Sequence, residues 1–315
     1  MVDLRIVFFG TPAFAVPSLE ALTRSRHDVT AVVSQPDRPK GRGHQLQPTP
    51  TKATAAAHGI PVLQPAKIRD EGFLQAIRDR RPDLGVVVAF GRILPDALLT
   101  IPRLGMINVH ASILPRYRGA APIQRAVLAG DPETGVSIMR VASELDAGPV
   151  FSIARAPIPP DATSGDMAEV LATLGAEHLI PIVDALAEGR AVETPQDHGA
   201  ATHAAKITKE EGAIDWNVPA ERIHDLVRGM QPWPLASTTL HGERFVIRRT
   251  RPVAGAATAP TGTIVRARGD ELIVASGGQT LLQLIEVQPE GRRTMTARDF
   301  LAGRGSLEGG RFGEL

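Results

Sequence analysis

The apolar run at residues 4–9 ends at Gly10, and after Thr11-Pro12 comes a stretch reaching about Arg24 with Phe14, Leu19 and Leu22 among its apolar positions. The run predicts a buried strand, the stretch a helix with proline at its start, and the β-branched segment 28–34 a second strand. A strand–helix–strand unit of this kind predicts a doubly wound, mostly parallel α/β sheet. Residues 51–58 and a segment ending near Arg81 read as helices, and 61–63 and 84–89 as strands. Residues 106–109 predict a short buried strand, 122–129 a helix and 135–141 a strand. Met167, Val170, Leu171, Leu174 and Leu179 give 164–186 helical spacing, with one face turned to the sheet.

The pattern then changes. Residues 188–205 are rich in Gly, Pro, His and Thr and read as a connector. Beyond Lys206 come a short helix at 219–229, a Pro232-Trp233-Pro234 turn, and brief β runs at 245–248, 262–266, 271–275 and 280–287. Short strands at that spacing suggest a small β-barrel or sandwich. The expected domains are therefore 1–205 and 206–315, and 315 residues suffice for two cores.

Composition removes several classes of function. With no cysteine there is no disulfide, thiolate metal site or cysteine nucleophile, which fits a reducing compartment. The N-terminus lacks a basic segment followed by a long apolar core, and no stretch approaches the roughly 20 apolar residues of a membrane span, so a cytoplasmic protein is expected. Net charge is +1, but its distribution is uneven: no carboxylate falls between Asp37 and Asp70, where Arg38, Lys40, Arg42, Lys52, Lys67 and Arg69 lie. A local positive field suits a phosphate-bearing partner. Residues 35–50 also hold Pro36, Pro39, Gly41, Gly43, Pro48 and Pro50, which predict a long, irregular, exposed loop.

Candidate chemistry gathers at Gly105-Met-Ile-Asn-Val-His-Ala-Ser-Ile-Leu-Pro-Arg-Tyr-Arg-Gly119. Alternation along a strand puts Asn108 and His110 on one face, at the carboxyl end where open α/β sheets hold ligands. An amide N–H can donate to a developing oxyanion and an imidazole can move a proton near neutral pH. Asp146, at the tip of Ser143-Glu-Leu-Asp-Ala-Gly148, joins them if the 135–141 strand lies beside the central one. The same aspartate would also suit a plain turn. Residues 90–94 reach the same sheet edge. A serine hydrolase is disfavoured because no G-x-S-x-G elbow surrounds Ser112. Gly10-Thr-Pro-Ala-Phe lacks the glycines of a dinucleotide fingerprint, and His198 and His203 lack a metal-binding pattern, so no metal is expected. Trp216 and Trp233 read as packing anchors of the second domain.

Asn108-Val-His110-Ala-Ser112-Ile-Leu-Pro115 with Leu145-Asp146-Ala-Gly148 resembles the signature of the folate-dependent formyltransferases. Ile113 replaces a leucine of that pattern, an isosteric change. Phe9-Gly-Thr-Pro-Ala-Phe14, Gln35-Pro-Asp-Arg-Pro-Lys-Gly-Arg42, Lys206-Ile-Thr-Lys-Glu-Glu211, Ile214-Asp-Trp216 and Pro232-Trp-Pro234 extend the likeness to the branch of that family acting on methionyl-tRNA. The resemblance implies a Rossmann-like catalytic domain, an OB-like C-terminal barrel, and a monomer. It implies 10-formyltetrahydrofolate as formyl donor and the α-amine of methionine on initiator tRNA as acceptor. Asn108, His110 and Asp146 would be catalytic; Phe90, Gly91, Ile93, Leu94, Ser112, Ile113, Leu114 and Pro115 would face the folate. Arg42, then Lys40 and Arg38, with Lys206 and Lys209, would contact tRNA. Competing readings are a formyltransferase acting on an amino-sugar nucleotide, a non-enzymatic RNA-binding protein, and a nicotinamide-dependent oxidoreductase.

Overall fold

The computed structural model describes residues 2–40, 45–303 and 306–314. Two compact units form: one of Met1–Pro122, Glu133–Pro157 and Ala168–Ala205, the other of Ile123–Pro132, Ile158–Met167 and Lys206–Leu315. The second unit thus takes two short pieces from within the first 205 residues. Within it, the reason is packing: Leu128 fills the space beside Gly229, and Ser164 Oγ donates to the Gly229 carbonyl at 2.8 Å.

The first unit runs β1 (Arg5–Gly10), α1 (Val16–Arg24), β2 (Asp28–Val33), β3 (Arg38–Lys40), β4 (Gln45–Gln47), α2 (Pro50–Ala57), β5 (Val62–Leu63), α3 (Glu71–Arg78), β6 (Leu84–Val88), α4 (Asp96–Leu99), β7 (Met106–His110) and β8 (Arg118–Gly119). After α5 (Pro122–Ala129) come β9 (Glu133–Arg140), β10 (Val150–Pro157), α6 (Ser164–Ala187) and β11 (His203–Ala204). A seven-stranded sheet has the order β10-β9-β7-β6-β1-β2-β5. Its members from β5 to β7 are parallel, while β9 runs antiparallel to β7 and β10 antiparallel to β9. Strands covered on both faces must be apolar throughout, as Ile6, Val7, Phe8 and Phe9 are, all fully buried. The carboxyl ends of β1, β2, β6 and β7 share one edge, and the loops after them build the site.

α6 covers one face of that sheet. A Cβ on Gly175 would stand 2.7 Å from Val109 Cγ1, so helix and strand approach as closely as a glycine permits. Val109 and Val136 face the helix, and alternation turns Asn108 and His110 to the opposite face. The expectation that no stretch is apolar enough to span a membrane does not hold. α6 has 24 residues and an 18-residue window of mean hydropathy 1.5, enough by length and composition, and Leu171, Leu179 and Val183 on it are fully buried.

The expected irregular loop at 35–50 contains a hairpin instead, β3 pairing antiparallel with β4 from Arg38↔Gln47 to Lys40↔Gln45. Its base is tied together. Lys52 Nζ contacts Asp37 Oδ2 at 2.5 Å and donates to Gln64 Oε1 at 2.8 Å, while Gln64 Nε2 donates to Asp37 Oδ1 at 2.7 Å. Ser34 and Thr49 hydroxyls meet at 2.6 Å. The Lys52 and Gln64 side chains hold the Asp37 carboxyl below its ordinary range. Lys52 is thereby removed from the free positive field that its position in the sequence suggests.

The second unit adds α7 (Ala220–Gly229), β12 (Ala236–Leu240), β13 (Glu243–Val253), β14 (Ile264–Arg268), β15 (Glu271–Ser276), β16 (Thr280–Pro289), β17 (Met295–Thr296) and α8 (Ala297–Leu301). Its six-stranded antiparallel sheet runs β12-β13-β16-β15-β14, with β17 on β16. The C-terminal segment protects both edges: Leu240 bridges Phe312 on β12's side, while Ile264 N donates to the Gly310 carbonyl at 2.8 Å on β14's side. Trp216 stacks on Phe312 with centroids 5.4 Å apart, an anchor as expected. Trp233 is 56% exposed and is no packing anchor.

Gly175→Val is expected to destabilise the protein by about 1–3 kcal/mol in urea unfolding, because overpacking at the α6–β7 contact outweighs any gain in helix propensity. The Asp37 clasp gives a pH prediction. A carboxyl whose folded value is depressed contributes stability above its unfolded value, near about 3.9, and loses it as pH falls through the folded value. Asp37→Asn should therefore be less stable than wild type at pH 7, with the gap closing below pH ~4. A gap independent of pH in the same denaturation series would rule the clasp out.

Candidate active site

β7 delivers Asn108 and His110 to the face away from α6. The neighbouring β9 pairs with it, His110 opposite Ser137 and Asn108 opposite Met139. Ser137 then shapes the loop beyond β7: its Oγ donates to the Ser112 carbonyl at 2.7 Å and accepts from Leu114 N at 3.1 Å. Ser112 Oγ donates to the Arg116 carbonyl at 2.6 Å. That loop is therefore closed by two buried hydroxyls as well as by apolar packing of Leu114.

His110 is 5% exposed. Its Nε2 lies 3.0 Å from the Tyr117 carbonyl oxygen. A carbonyl only accepts, so Nε2 carries the hydrogen and donates it. Nδ1 is left as the basic nitrogen, 3.7 Å from Asp146 Oδ2. That separation exceeds a hydrogen bond and leaves room for a proton donor to engage both atoms. Asp146 is a non-glycine residue at φ +50°, and its Oδ2 accepts from Gly119 N at 2.9 Å. Among the described residues the half-buried Asn108 carboxamide has no hydrogen-bond partner, so its N–H groups remain available to a ligand. The structure thus brings Asn108, His110 and Asp146 to one place.

The residues expected to face folate divide. Phe90 is buried, its ring edge-on to Phe9 at 5.6 Å, and its carbonyl accepts from Gln35 Nε2 at 2.8 Å and Thr11 Oγ1 at 3.3 Å. Gly91 adopts φ +76° with Gln35 Nε2 2.7 Å from where a Cβ would stand, so only glycine fits that turn. Ser112 and Leu114 are buried, Leu114 packing with Met139 and Val150. Ile93, 77% exposed, and the half-buried Leu94, Ile113 and Pro115 keep accessible surface. Arg38 is exposed on the hairpin, Lys40 contributes backbone pairing there, and Arg42 lies outside the described residues. Lys206 and Lys209, in the second unit, are exposed beside Glu211, which accepts from Thr208 N at 2.8 Å and pairs with Arg125 at 2.6 Å. The Arg125 guanidinium holds the Glu211 carboxyl below its ordinary range.

Several groups at the site escape sequence reasoning. Gln196, 9% exposed, donates from Nε2 to the carbonyls of Asp146 at 2.9 Å and Gly148 at 2.6 Å, and accepts at Oε1 from Arg118 Nη2 at 2.8 Å. Tyr117, at φ +61°, donates its N–H to Thr202 Oγ1 at 2.8 Å, and β8 pairs in parallel with β11. Gln196 and Thr202 stand in a connector without periodicity, where nothing local signals a role. Tyr117 and Gly119 act through backbone atoms, which residue identity does not advertise.

Comparison with known proteins agrees with this architecture. A formyl transferase family model matches residues 4–183, and a formyl transferase C-terminal domain model matches 206–305. A methionyl-tRNA formyltransferase of Moorella thermoacetica is 46% identical over 95% of this chain and 96% of its own. The protein of that name from Methylococcus capsulatus is 47% identical over 98% of this chain and 100% of its own. Among solved structures, HypX from Aquifex aeolicus in complex with tetrahydrofolic acid superposes with TM-score 0.64 at 16% identity over 96% of this chain, which spans 47% of that longer protein. An N-formyltransferase from Helicobacter canadensis, in complex with folinic acid and dTDP-3-aminofucose, gives TM-score 0.69 at 14% identity over 91% of this chain and 99% of that one. With both of its units matched, this chain belongs to the formyl transferase family.

Proposed function

We propose that this chain transfers the formyl group of 10-formyltetrahydrofolate to the α-amine of methionine carried on initiator tRNA, supplying formylmethionyl-tRNA for translation initiation. The observation that carries the reading is identity near 46% to methionyl-tRNA formyltransferases across almost the whole of both chains. Likeness to the sugar-nucleotide enzyme, at 14% identity, speaks to the fold alone.

The site's geometry supplies a mechanism for that reaction. Asn108 offers its free carboxamide N–H to the formyl oxygen as negative charge builds there. The acceptor amine attacks the formyl carbon and must lose a proton. His110 Nδ1, the nitrogen that the Tyr117 carbonyl leaves unprotonated, takes it and returns it to N10 of the donor as the bond from the formyl carbon to N10 breaks, so that neutral tetrahydrofolate leaves. The Asp146 carboxylate beside that nitrogen stabilises the resulting imidazolium. Ile93, Leu94, Ile113 and Pro115 give the folate ring an apolar wall, and Phe90, Gly91, Ser112 and Leu114 hold that wall in place. Arg38, Lys40 and Arg42, with Lys206 and Lys209, meet tRNA phosphates.

Purified protein given 10-formyltetrahydrofolate is expected to formylate methionyl initiator tRNA and not an amino-sugar nucleotide; transfer to the sugar alone would overturn the assignment. Asn108→Ala should lower kcat about 100- to 1000-fold with tRNA affinity unchanged. Arg42→Ala should instead weaken tRNA binding, with the slope of log K against log salt reduced by about 1 in binding titrations.

A further inference from the structure

Residues 184–205 fall between the two stretches matched by the family models. Within the first unit, part of this segment wraps the outer side of the catalytic loops. Gln196 grips the Asp146 turn from behind, and its Oε1 is oriented by both Nε and Nη2 of Arg118, at 3.1 and 2.8 Å. Arg118 is itself buried, with Nη1 3.7 Å from Glu144 Oε1 and 3.4 Å from His198 Nδ1. Six residues later Thr202 receives the Tyr117 N–H at Oγ1; its own N–H donates to the Pro115 carbonyl at 3.3 Å, and its carbonyl accepts from Arg118 N at 2.9 Å. One continuous piece of chain therefore holds the backbone that presents each member of the dyad.

From these contacts we propose that residues 196–204 are a positioning strap for the reaction. Gln196 fixes the left-handed Asp146 turn, and Thr202 fixes the Tyr117 carbonyl that sets the His110 tautomer. The two anchors are independent. The Asp146 carboxylate accepts from Gly119 N, while its backbone carbonyl is held by the Gln196 amide, beside the weaker turn bond from Ala147 N to the Glu144 carbonyl at 3.4 Å. Tyr117 sits at φ +61°, a conformation that a non-glycine side chain keeps only when its surroundings over-determine it. Thr202 and the two β8–β11 pairs do so. Substrate contact is not required of either residue; both act through the groups they hold.

The strap rests on the proposed function, and its test separates the two. Gln196→Glu keeps the acceptor for Arg118 but sets a carboxylate against the Asp146 and Gly148 carbonyls. Thr202→Val removes the acceptor for Tyr117 N–H at nearly constant volume. Each folded variant should lose about 10- to 100-fold in kcat with both KM values little changed, the size of effect that misplacing a catalytic group produces. Thr202→Ser, which keeps the hydroxyl, should recover most of the loss. In an Asp146→Ala background Gln196→Glu should cost nothing further, because the group it positions has gone. Nitrogen NMR of labelled histidine, with the His110 signals assigned by their loss in His110→Gln, should show the Nε2–H tautomer in wild type and a mixture in Thr202→Val. Wild-type kcat in folded variants, or a Gln196→Glu loss that persists without Asp146, would overturn the strap. Wild-type protein inactive on methionyl-tRNA would remove the proposed function, while the tautomer measurement would still decide the strap's hold on His110.

Discussion

A carbonyl oxygen accepts hydrogen bonds and cannot donate them, and the orientation of the His110 ring hangs on one such oxygen. By taking the Nε2–H of His110, the Tyr117 carbonyl decides which ring nitrogen is basic. Had a donor stood there instead, Nε2 would have become the acceptor. The hydrogen would then have moved to Nδ1, on the Asp146 side, and the ring would face the carboxylate with a donor. The direction of the dyad is set on the side of the ring away from its carboxylate. Tyr117 can serve only in a left-handed turn, and that explains why so much hydrogen bonding is concentrated in residues 112–119.

The sheet makes this possible by separating two jobs between two faces of β7. Toward α6 the strand is packing surface, close enough that Gly175 has no room for a side chain. Toward the site it carries Asn108 and His110, and β9 answers with Ser137 where a purely structural sheet would set an apolar residue. The antiparallel course of β9 matters as well. It sends the chain back past β7, so that the following turn can fold over the site face and bring Asp146 to the ring. At the same edge Thr11 and Gln35 converge on the Phe90 carbonyl, tying the loops after β1, β2 and β6 into one rim.

Those parts of the fold that depend on periodicity were legible. The strands at 4–9, 28–34, 84–89 and 106–109 and the helix at 164–186 are continuous or regularly spaced apolar patterns, and each forms an element close to those limits. Where the pattern is weak, it misled or was silent. β10 buries Val150, Ala154 and Ala156 but leaves Ile153 exposed and has Arg155 between the alanines, too faint a signal. β12 is Ala-Ser-Thr-Thr-Leu, whose β-branched residues are polar. The β3–β4 hairpin was hidden by its prolines and glycines, because its pairing is maintained by the clasp at its base rather than by its own residues. Asn108, His110 and Asp146 could be picked out by chemistry and spacing. Gln196 and Thr202 could not, since a hydrogen bond to a backbone carbonyl or N–H leaves no pattern in the chain that makes it.

Charge shows the same difference between counting and placing. Six bases in an acid-free stretch suggest a diffuse positive field, yet Lys52 is consumed by Asp37 and Gln64. Among the described residues what is left exposed is Arg38 and Leu46 on the hairpin, Leu46 at 70%, with Lys67 and Arg69 further along. The clasp and the exposed bases answer salt differently. At physiological ionic strength, with a screening length of about 8 Å, exposed contacts to phosphates weaken, whereas a pair in contact and partly buried is screened far less. Salt that screens the exposed bases of the hairpin thus leaves the hairpin held in the same geometry. The hairpin's geometry does not have to be rebuilt when its surroundings change, and the one lysine lost from the field is what makes that so.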